Sequence, residues 1–317
     1  MKRTLLVLFV FALVTSTQAQ TTPKRTLAVT IDDLIYVHNS DGDYLKNARA
    51  ATAKILSTLK KHKVKAVAFV NEHSLEAQPS EREARIAVLR DWVRQGMTLG
   101  NHTYSHPDFN ELTVEQFQEE ITKGEVVTRE LMKSRRPYQM YFRHPGTHTG
   151  DTREKKEAIE EFLAARGYKV TPHTIENSDW MFNVPYAQAR QKGDEDLARR
   201  LREAYMELTM SATDFAEKVS PQIFGREIPQ ILLIHSNDIT ADCLDEVLQR
   251  LAARGYRFVT LDKVMADPAY ETKVTYITKY GPTWFMRWSE SKGLNVSFRG
   301  DPDPPKWVMD LYKNRDN

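Results

Sequence analysis

Residues 27–34 read Leu-Ala-Val-Thr-Ile-Asp-Asp-Leu, an apolar and partly β-branched run that ends in two adjacent carboxylates. A continuous apolar run of this length is typical of a parallel strand that is buried on both faces. Its C-terminal end is where we expect such a strand to open into an active site. The Asp-Asp pair is also a common helix N-cap followed by a first-turn acid, so taken alone it leaves both interpretations open.

Strand-like and helix-like segments alternate along the rest of the chain. We predict strands at 27–31, 65–70, 97–101, 138–143, 168–171, 231–235 and 257–261, and helices at 44–62, 80–95, 113–134, 152–166 and 242–254. This alternation indicates an α/β fold with a parallel sheet. Periodicity alone does not separate an open, doubly wound sheet from a barrel.

A second polar stretch, residues 99–107, reads Leu-Gly-Asn-His-Thr-Tyr-Ser-His-Pro and holds two histidines four residues apart. On a helical turn or a tight loop, His102 and His106 would lie on the same side. Neutral imidazoles in that arrangement bind zinc, although such pairs also occur as ordinary surface histidines. A catalytic zinc site usually has three protein ligands, so one carboxylate from the Asp-Asp pair would complete the set and leave the other as a base.

Five short motifs then occur in one order along the chain: Thr30-Ile31-Asp32-Asp33, His102-Thr103-Tyr104-Ser105-His106, Arg143-His144-Pro145, Asp179-Trp180 and Ile231-Leu232-Leu233-Ile234-His235. Together they resemble the motif set of the polysaccharide deacetylases, carbohydrate esterase family 4. The resemblance extends over about residues 25–267. It implies a distorted (β/α)7 barrel, with the site residues at the C-terminal ends of the strands.

The resemblance also implies a role for each motif residue. Asp33, His102 and His106 would bind one divalent metal ion, zinc or in its place cobalt. Asp32 would be the general base, and Arg143 would pair with it. His235 would be the general acid, held by Asp179. The substrate-binding residues would be Trp180 and Leu233, as walls of an acetyl slot, and Gly146, through a backbone N–H near the oxyanion.

Two departures from the family pattern concern the substrate. The family usually has an aromatic residue after the proline of the third motif, whereas this chain has Gly146 and Thr147. The absent aromatic is part of a subsite wall, so polymer binding and the preferred sugar stay open. In this chain Ser236 and Asn237 follow His235, where the family more commonly has an aspartate directly after the histidine. The residue beside the expected general acid therefore differs.

The expected reaction is removal of N-acetyl groups from amino sugars of a chitin-type or peptidoglycan-type glycan. One alternative is an O-acetyl xylan esterase, or a hydrolase of another small acyl group or cyclic amide. The other is an inactive carbohydrate-binding relative, which the presence of both Asp32 and His235 argues against. The expected partner is an acetylated glycan, and the sequence does not indicate an oligomeric state.

Residues 1–19 have two basic residues, an apolar core and a Thr-Gln-Ala ending, as in a secretory signal peptide. Removing Lys2 and Arg3 with this leader takes the formal net charge from +2 to zero, which gives no reason to expect a nucleic-acid partner. We therefore expect an exported protein, periplasmic or extracellular, without a membrane anchor. The single Cys243 cannot form an internal disulfide.

The expected domain organisation is a catalytic domain at 24–267 followed by an aromatic-rich C-terminal extension at 268–317. Within the catalytic domain, residues 184–229 interrupt the alternation with a charged, helix-favouring segment. We expect a solvated helical insertion there, with a lid over the site as one role. We expect the aromatic residues of the extension to dock it on the barrel, with sugar stacking as the alternative.

Overall fold

The structure, a computed structural model, describes residues 25–37 and 43–314 and has one parallel sheet at its centre. The strands are β1 (Thr26–Leu34), β2 (Val67–Val70), β3 (Thr98–Asn101), β4 (Met140–Phe142), β5 (Tyr168–Val170), β6 (Ile175–Glu176), β7 (Gln230–His235) and β8 (Arg257–Phe258). Their order is β5-β4-β3-β2-β1-β7-β6, with β8 beside β1. All pairings of the described strands are parallel.

The sheet curls because its two ends are joined by a short connection. β5 and β6 lie at opposite ends of the strand order, yet only residues 171–174 separate them in the chain. Four extended residues span at most about 14 Å. The two edges must therefore approach each other, which confirms the expected distorted (β/α)7 barrel.

Twelve helices of the described chain surround the sheet: α1 (Tyr44–Lys61), α2 (His73–Glu76), α3 (Arg82–Arg94), α4 (Val114–Lys123), α5 (Val126–Met132), α6 (Arg153–Ala165), α7 (Asp179–Lys192), α8 (Glu195–Phe224), α9 (Asp238–Ala253), α10 (Leu261–Met265), α11 (Trp284–Ser291) and α12 (Lys306–Lys313). Side-chain caps begin several of them. Asp43 accepts a hydrogen bond from the Lys46 N–H at the start of α1, and Thr113 forms a capping box with Gln116 at the start of α4. Such caps satisfy N–H groups that have no partner within the helix.

β1 is buried on both faces, as its apolar sequence predicts. Leu27, Val29 and Ile31 pack into the large core cluster formed with the helices, whereas Ala28 packs with Phe69 and other residues of a second, smaller cluster. Burying each large aliphatic side chain contributes about 1.5–3 kcal/mol. A strand embedded in this way is a rigid base for the polar residues at its end.

Three local predictions need correction. β1 continues to Leu34 instead of ending at Ile31, with a register shift between the two residues. The helix predicted over 113–134 is divided into α4 and α5 at Gly124, where the backbone passes so close to the His102–His106 loop that a Cβ would lie 2.4 Å from the backbone carbon of Thr103. The short strand β6 was not predicted, since two residues are too few to show a periodic pattern.

The prediction of a solvated insertion at 184–229 is wrong. The helices begin earlier, at Asp179, and α8 buries 14 of its 30 residues, among them Leu201, Leu208 and Val219. These apolar residues recur at helical spacing and pack into the main core. The charged residues, which dominated the sequence interpretation, lie on the opposite face.

The extension after residue 267 docks on the barrel, mainly through α11. Trp284, Phe285 and Trp288 are buried in the main core cluster, in agreement with the docking interpretation. In the described ranges, no helix has both the length and the apolar character that a membrane span requires. The predicted signal peptide at 1–19 lies outside the described residues.

Candidate metal and catalytic site

The two carboxylates at the end of β1 reach the same cavity because the backbone turns between them. Asp33 has a φ of 60°, in the left-handed region that a non-glycine residue rarely adopts. This conformation interrupts the alternation of side chains along the strand, which would otherwise direct Asp32 and Asp33 to opposite faces. Both residues line a cavity of about 770 Å³ at the C-terminal ends of the strands.

Three side chains form a cluster suited to a metal ion. The Nε2 atoms of His102 and His106 lie 3.5 and 3.6 Å from Oδ1 of Asp33, and one ligand atom from each of the three residues lies within 4.8 Å of the others. Tetrahedral ligands about 2.0–2.1 Å from zinc are separated by about 3.3 Å. Asp33 Oδ1 is buried and has no hydrogen-bond partner in the described structure. The donor set and this unpaired oxygen fit a divalent metal.

A hydrogen bond orients His102 for ligation. Its Nδ1 lies 2.8 Å from the carbonyl oxygen of Arg143, so Nδ1 carries the hydrogen and Nε2 presents its lone pair toward Asp33. Burial lowers the pKa of His102 to about 4, which keeps the imidazole neutral. Burial by itself would raise the pKa of Asp33, but His106, His235 and His102 outweigh it and lower that pKa.

Asp32 lies beside the metal cluster but has different partners. Its side chain is 2% exposed, and Oδ1 lies 3.3 Å from Nη1 of the buried Arg143. Arg143 is itself held by Thr30 Oγ1 at 2.9 Å and by the Pro172 carbonyl oxygen at 3.2 Å. The guanidinium therefore has a fixed position, from which it holds the Asp32 carboxylate in place.

His235, at the end of β7, forms a dyad with Asp179, the first residue of α7. Nδ1 of His235 lies 2.6 Å from Oδ1 of the fully buried Asp179, and the Asp179 Oδ2 accepts the backbone N–H of His235 at 2.6 Å. Thr240 Oγ1 and Asn237 Nδ2 also donate to that Oδ2. The carboxylate thus keeps one orientation and receives the Nδ1–H of His235.

The dyad favours a charged imidazole. Burial opposes the charge on His235, but the Asp179 carboxylate, with the nearby Asp33 and Asp32, outweighs it and raises the pKa of His235 to about 10. Burial also acts against the charge on Asp179, yet its contacts with His235 and Thr240 lower its pKa. Because Nδ1 is engaged, Nε2 is the nitrogen that remains to donate a proton to a bound molecule.

The three predicted substrate-binding residues, Trp180, Leu233 and Gly146, line the same cavity. Trp180 is partly exposed, and its ring packs edge-on against Tyr312 of α12 at 5.3 Å between centroids. Gly146 lies in a short 3-10 turn with a φ of 55°. All ten predicted site residues except Arg143 and Asp179 are thus at the cavity surface, and these two lie directly behind it.

Sequence reasoning missed three polar residues of the cavity wall, two of them buried histidines. His144, His173 and Glu176 line it, although no spacing pattern pointed to them. Burial lowers the pKa of His144 to about 3, and its ring stacks on Phe117, as in a neutral packing residue. Glu176 is the last residue of the unpredicted strand β6, three residues before Asp179, and burial raises its pKa.

The C-terminal extension also contributes to the cavity, which the sequence analysis did not anticipate. Its lining residues are Gly281, Pro282, Thr283, Phe298, Gly300, Asp301, Pro302 and Asp303. They lie more than forty residues beyond the last motif, so no local pattern links them to the site. Only the docking of α11 on the barrel brings them there.

Strained backbone is concentrated around this site. Among the described non-glycine residues, six have a positive φ, and five of these belong to the motif loops: Asp33, Thr103, His106, Thr147 and Ser178. Each such conformation costs of order 1–3 kcal/mol and persists only where the surroundings impose it. The loops are therefore held in place by their packing against the barrel.

Comparisons with known proteins agree with the motifs. Residues 19–162 match the family model described as polysaccharide deacetylase. A peptidoglycan-N-acetylglucosamine deacetylase of Bacillus cereus is 24% identical over 216 residues, which cover 66% of this chain and 62% of that protein. The peptidoglycan-N-acetylmuramic acid deacetylase PdaA of Bacillus subtilis is 26% identical over 220 residues, or 68% of this chain and 66% of PdaA. The solved structure of PdaA, a family 4 carbohydrate esterase, aligns with a TM-score of 0.47 and 21% identity over 77% of this chain and 82% of that one.

Proposed function

We propose, from the premise that this chain belongs to the polysaccharide deacetylase family, that it is a metal-dependent hydrolase that removes N-acetyl groups from the amino sugars of a glycan. One observation carries the proposal. A cluster suited to a metal, a buried aspartate paired with an arginine and a histidine–aspartate dyad all meet at one cavity. The two relatives, which are named as peptidoglycan deacetylases, support a peptidoglycan-type substrate, with a chitin-type glycan as the other proposed substrate.

Asp33, His102 and His106 would hold the metal, for which zinc suits the nitrogen-rich donor set and cobalt is a substitute. When bound, such an ion acts as a Lewis acid that polarises the scissile carbonyl and acidifies water. The Nδ1–H bond of His102 to the Arg143 carbonyl oxygen keeps that ligand in the tautomer it needs.

Asp32 would take a proton from the attacking water. Its side chain lines the cavity beside the metal cluster, and Nη1 of Arg143 lies 3.3 Å from Oδ1 and 3.4 Å from Oδ2, which fixes the position of the carboxylate. Arg143 contacts the carboxylate and holds it in position for the transfer.

His235 would then protonate the departing amine from Nε2, while Asp179 holds Nδ1 and stabilises the imidazolium. A backbone N–H at Gly146 would contact the developing oxyanion, and Trp180 with Leu233 would enclose the acetyl methyl group. The products are acetate and a free amino sugar.

Acetate release from a panel of N-acetylated and O-acetylated glycans tests this function. We expect zinc-loaded protein to release acetate from N-acetylated chitin or peptidoglycan oligosaccharides, chelation to abolish the release, and zinc or cobalt to restore it. Preferential release from acetylated xylan would instead favour the esterase alternative. Binding without release from any glycan would identify an inactive relative.

We also propose that the protein acts outside the cytoplasm, because residues 1–19 have the pattern of a signal peptide. Expression of the whole chain in a bacterial host, followed by fractionation and mass spectrometry, tests this. We expect a mature chain that begins at Gln20. Full-length protein confined to the cytoplasm would contradict the proposal.

A further inference from the structure

The C-terminal residues that line the cavity belong to one docked segment, residues 280–303, which we name the C-terminal wall. It lines the same cavity as Asp32, Asp33 and His235 but comes from outside the barrel strands. Its loop from Phe298 to Asp303 carries the apolar ring of Phe298 and two carboxylates.

A buried arginine fixes the C-terminal wall against the third motif. Arg287 of α11 is fully buried and donates to Thr149 Oγ1 at 2.9 Å and to the Thr147 carbonyl oxygen at 2.7 Å. It also donates to the carbonyl oxygens of Tyr280 and Pro282, within the wall itself. Burial of a guanidinium is costly unless its N–H groups are paired, and here four neutral acceptors receive them. The wall and the 147–149 loop are therefore tied together as one unit.

A glycine pair brings the wall close to the reacting centre. A Cβ on Gly281 would lie 2.1 Å from the Gly146 carbonyl oxygen and 2.3 Å from Thr147 Oγ1, so only glycine allows this approach. Gly146 stands where the family usually has an aromatic residue that forms part of a subsite wall. In this chain the backbone of the C-terminal wall lies beside that position instead.

Carboxylates of the cavity differ in whether a cationic side chain lies near them: Arg143 and the His235 dyad lie at the barrel side, whereas the wall loop carries Asp301 and Asp303. Five carboxylates line the cavity, those of Asp32, Asp33, Glu176, Asp301 and Asp303, and no lysine or arginine is among its described lining residues. Three of these acids have other roles or partners in the site, but Asp301 and Asp303 make no side-chain hydrogen bond or ion pair that the described structure shows. The wall loop itself is held by the Asp301 N–H, which donates to the Phe298 carbonyl oxygen, and by Phe298 against Phe215.

We propose that the C-terminal wall determines which amino sugar is accepted. Through Asp301 and Asp303 it favours an uncharged N-acetylglucosamine-type unit over a unit that carries a carboxylate, such as N-acetylmuramic acid. This inference rests on the proposed deacetylase function. It assigns substrate selection to residues outside the five motifs.

The physical reason is repulsion between like charges in a partly enclosed space. Two unit charges 4 Å apart change an equilibrium constant by about fivefold in bulk water, and by more where solvent is restricted. The two carboxylates on the loop of the C-terminal wall should therefore weaken binding of an anionic sugar by about threefold to tenfold. Added salt should reduce this discrimination, because Asp301 and Asp303 are exposed to solvent.

The test compares Asp301→Asn/Asp303→Asn with a matched double variant, Glu271→Gln/Glu290→Gln. The control removes the same charge from exposed positions of the same extension that do not line the cavity. Zinc-loaded wild type and both variants are assayed at pH 8 and at low and high salt. The substrates are N-acetylglucosamine oligosaccharides and oligosaccharides of the same length with N-acetylmuramic acid as the reacting unit.

We expect the wild type to prefer the neutral substrate in kcat/KM, and the Asp301/Asp303 variant to lose about threefold to tenfold of that preference at low salt. The control variant should keep the wild-type ratio. An unchanged ratio in the Asp301/Asp303 variant, or an equal change in the control, overturns the proposal, as does a wild-type preference for the anionic unit.

Equilibrium binding of the two saccharides separates this proposal from the proposed function. If no variant releases acetate from either substrate, the deacetylase assignment fails. Calorimetric titration of the same saccharides into the wild type and variants then still decides whether the wall discriminates by charge. Equal affinities of the wild type for both saccharides would overturn the proposal on their own.

Discussion

Asp32 and Asp33 are adjacent in the sequence but have different electrostatic surroundings. The guanidinium of Arg143 lies 3.3 Å from Asp32, whereas Asp33 faces two imidazole nitrogens at 3.5 and 3.6 Å. The fixed cation orients the Asp32 carboxylate beside the metal cluster, and a carboxylate that faces two imidazole nitrogens is suited to bind a metal. The left-handed φ of Asp33 is what places both groups at one cavity.

Substitution of each aspartate should therefore have a different result. Asp33→Ala leaves two histidines as ligands, so we expect it to bind zinc much more weakly than the wild type. Asp32→Asn leaves the ligand set intact, so we expect normal zinc content with turnover lower by about 10²–10⁴, the usual contribution of a positioned general base.

Zinc content by elemental analysis and acetate release, measured on the same preparations, check both expectations. Loss of zinc from Asp32→Asn with retention in Asp33→Ala would invert the two roles. Unchanged zinc and rate in both variants would show that the pair has neither role.

Among the elements, those with a long or regular pattern were predictable and those set by tertiary contact were not. α1 was predicted over 44–62 and spans Tyr44–Lys61, because its apolar residues recur at helical spacing and Asp43 caps it. α8 was recognised as helical but wrongly placed in solvent, since charges at 190–203 concealed the apolar stripe that begins at Ala198. The break at Gly124 depends on a contact with Thr103 that no local pattern encodes.

That contact leads to a prediction about the loop that carries the metal ligands. α4 holds this loop through the Glu120 carbonyl oxygen, which accepts the Tyr104 N–H at 3.0 Å, and through the Glu120 carboxylate, which accepts the Ser105 N–H at 2.7 Å. Gly124 has a φ of −79°, so alanine is conformationally allowed there and would by itself favour a helix. Its Cβ, however, would overlap the backbone between His102 and His106.

We expect Gly124→Ala to lower the free energy of unfolding by about 1–3 kcal/mol and to weaken zinc binding, because the ligand loop must shift. Urea unfolding and competitive zinc titration measure the two effects. Lys123→Ala, an exposed neighbour in the same turn, is the control and should change neither. A Gly124→Ala variant that is more stable than the wild type and binds zinc normally would show that the close approach is unimportant.

For the whole molecule, the order of motifs predicted more than any one of them did. The resemblance of the ordered set to one family identified the strand-end residues, and parallel strands in the barrel it implied bring their C-terminal ends to one side. The motifs say nothing about what covers that side. Residues 280–303 reach the cavity because apolar residues such as Trp284 and Trp288 are buried in the core. The spacing of residues in the sequence does not predict this docking.

If the extension is part of the same core, the chain from residue 25 onward should unfold as one unit. Trp288 is 1% exposed and packs against Phe224 of α8, Tyr270 and Phe285, with ring centroids 5.2–5.9 Å apart. Since α8 also packs against α7 and β6, removing the Trp288 side chain should destabilise the barrel as well as the extension. We expect Trp288→Ala to lower the free energy of unfolding by about 3–5 kcal/mol, the usual cost of removing a large buried aromatic side chain.

Far-ultraviolet circular dichroism and intrinsic tryptophan fluorescence, followed in the same urea titration, measure the free energy of unfolding and the number of transitions. Both signals should move together to a lower midpoint in Trp288→Ala, because a single core gives a single cooperative transition. Tyr280→Ala removes an aromatic ring that is 66% exposed and should leave the midpoint nearly unchanged. Two separate transitions, with only the first one sensitive to Trp288, would mean that the extension unfolds independently of the barrel and can leave the cavity without disturbing the metal cluster.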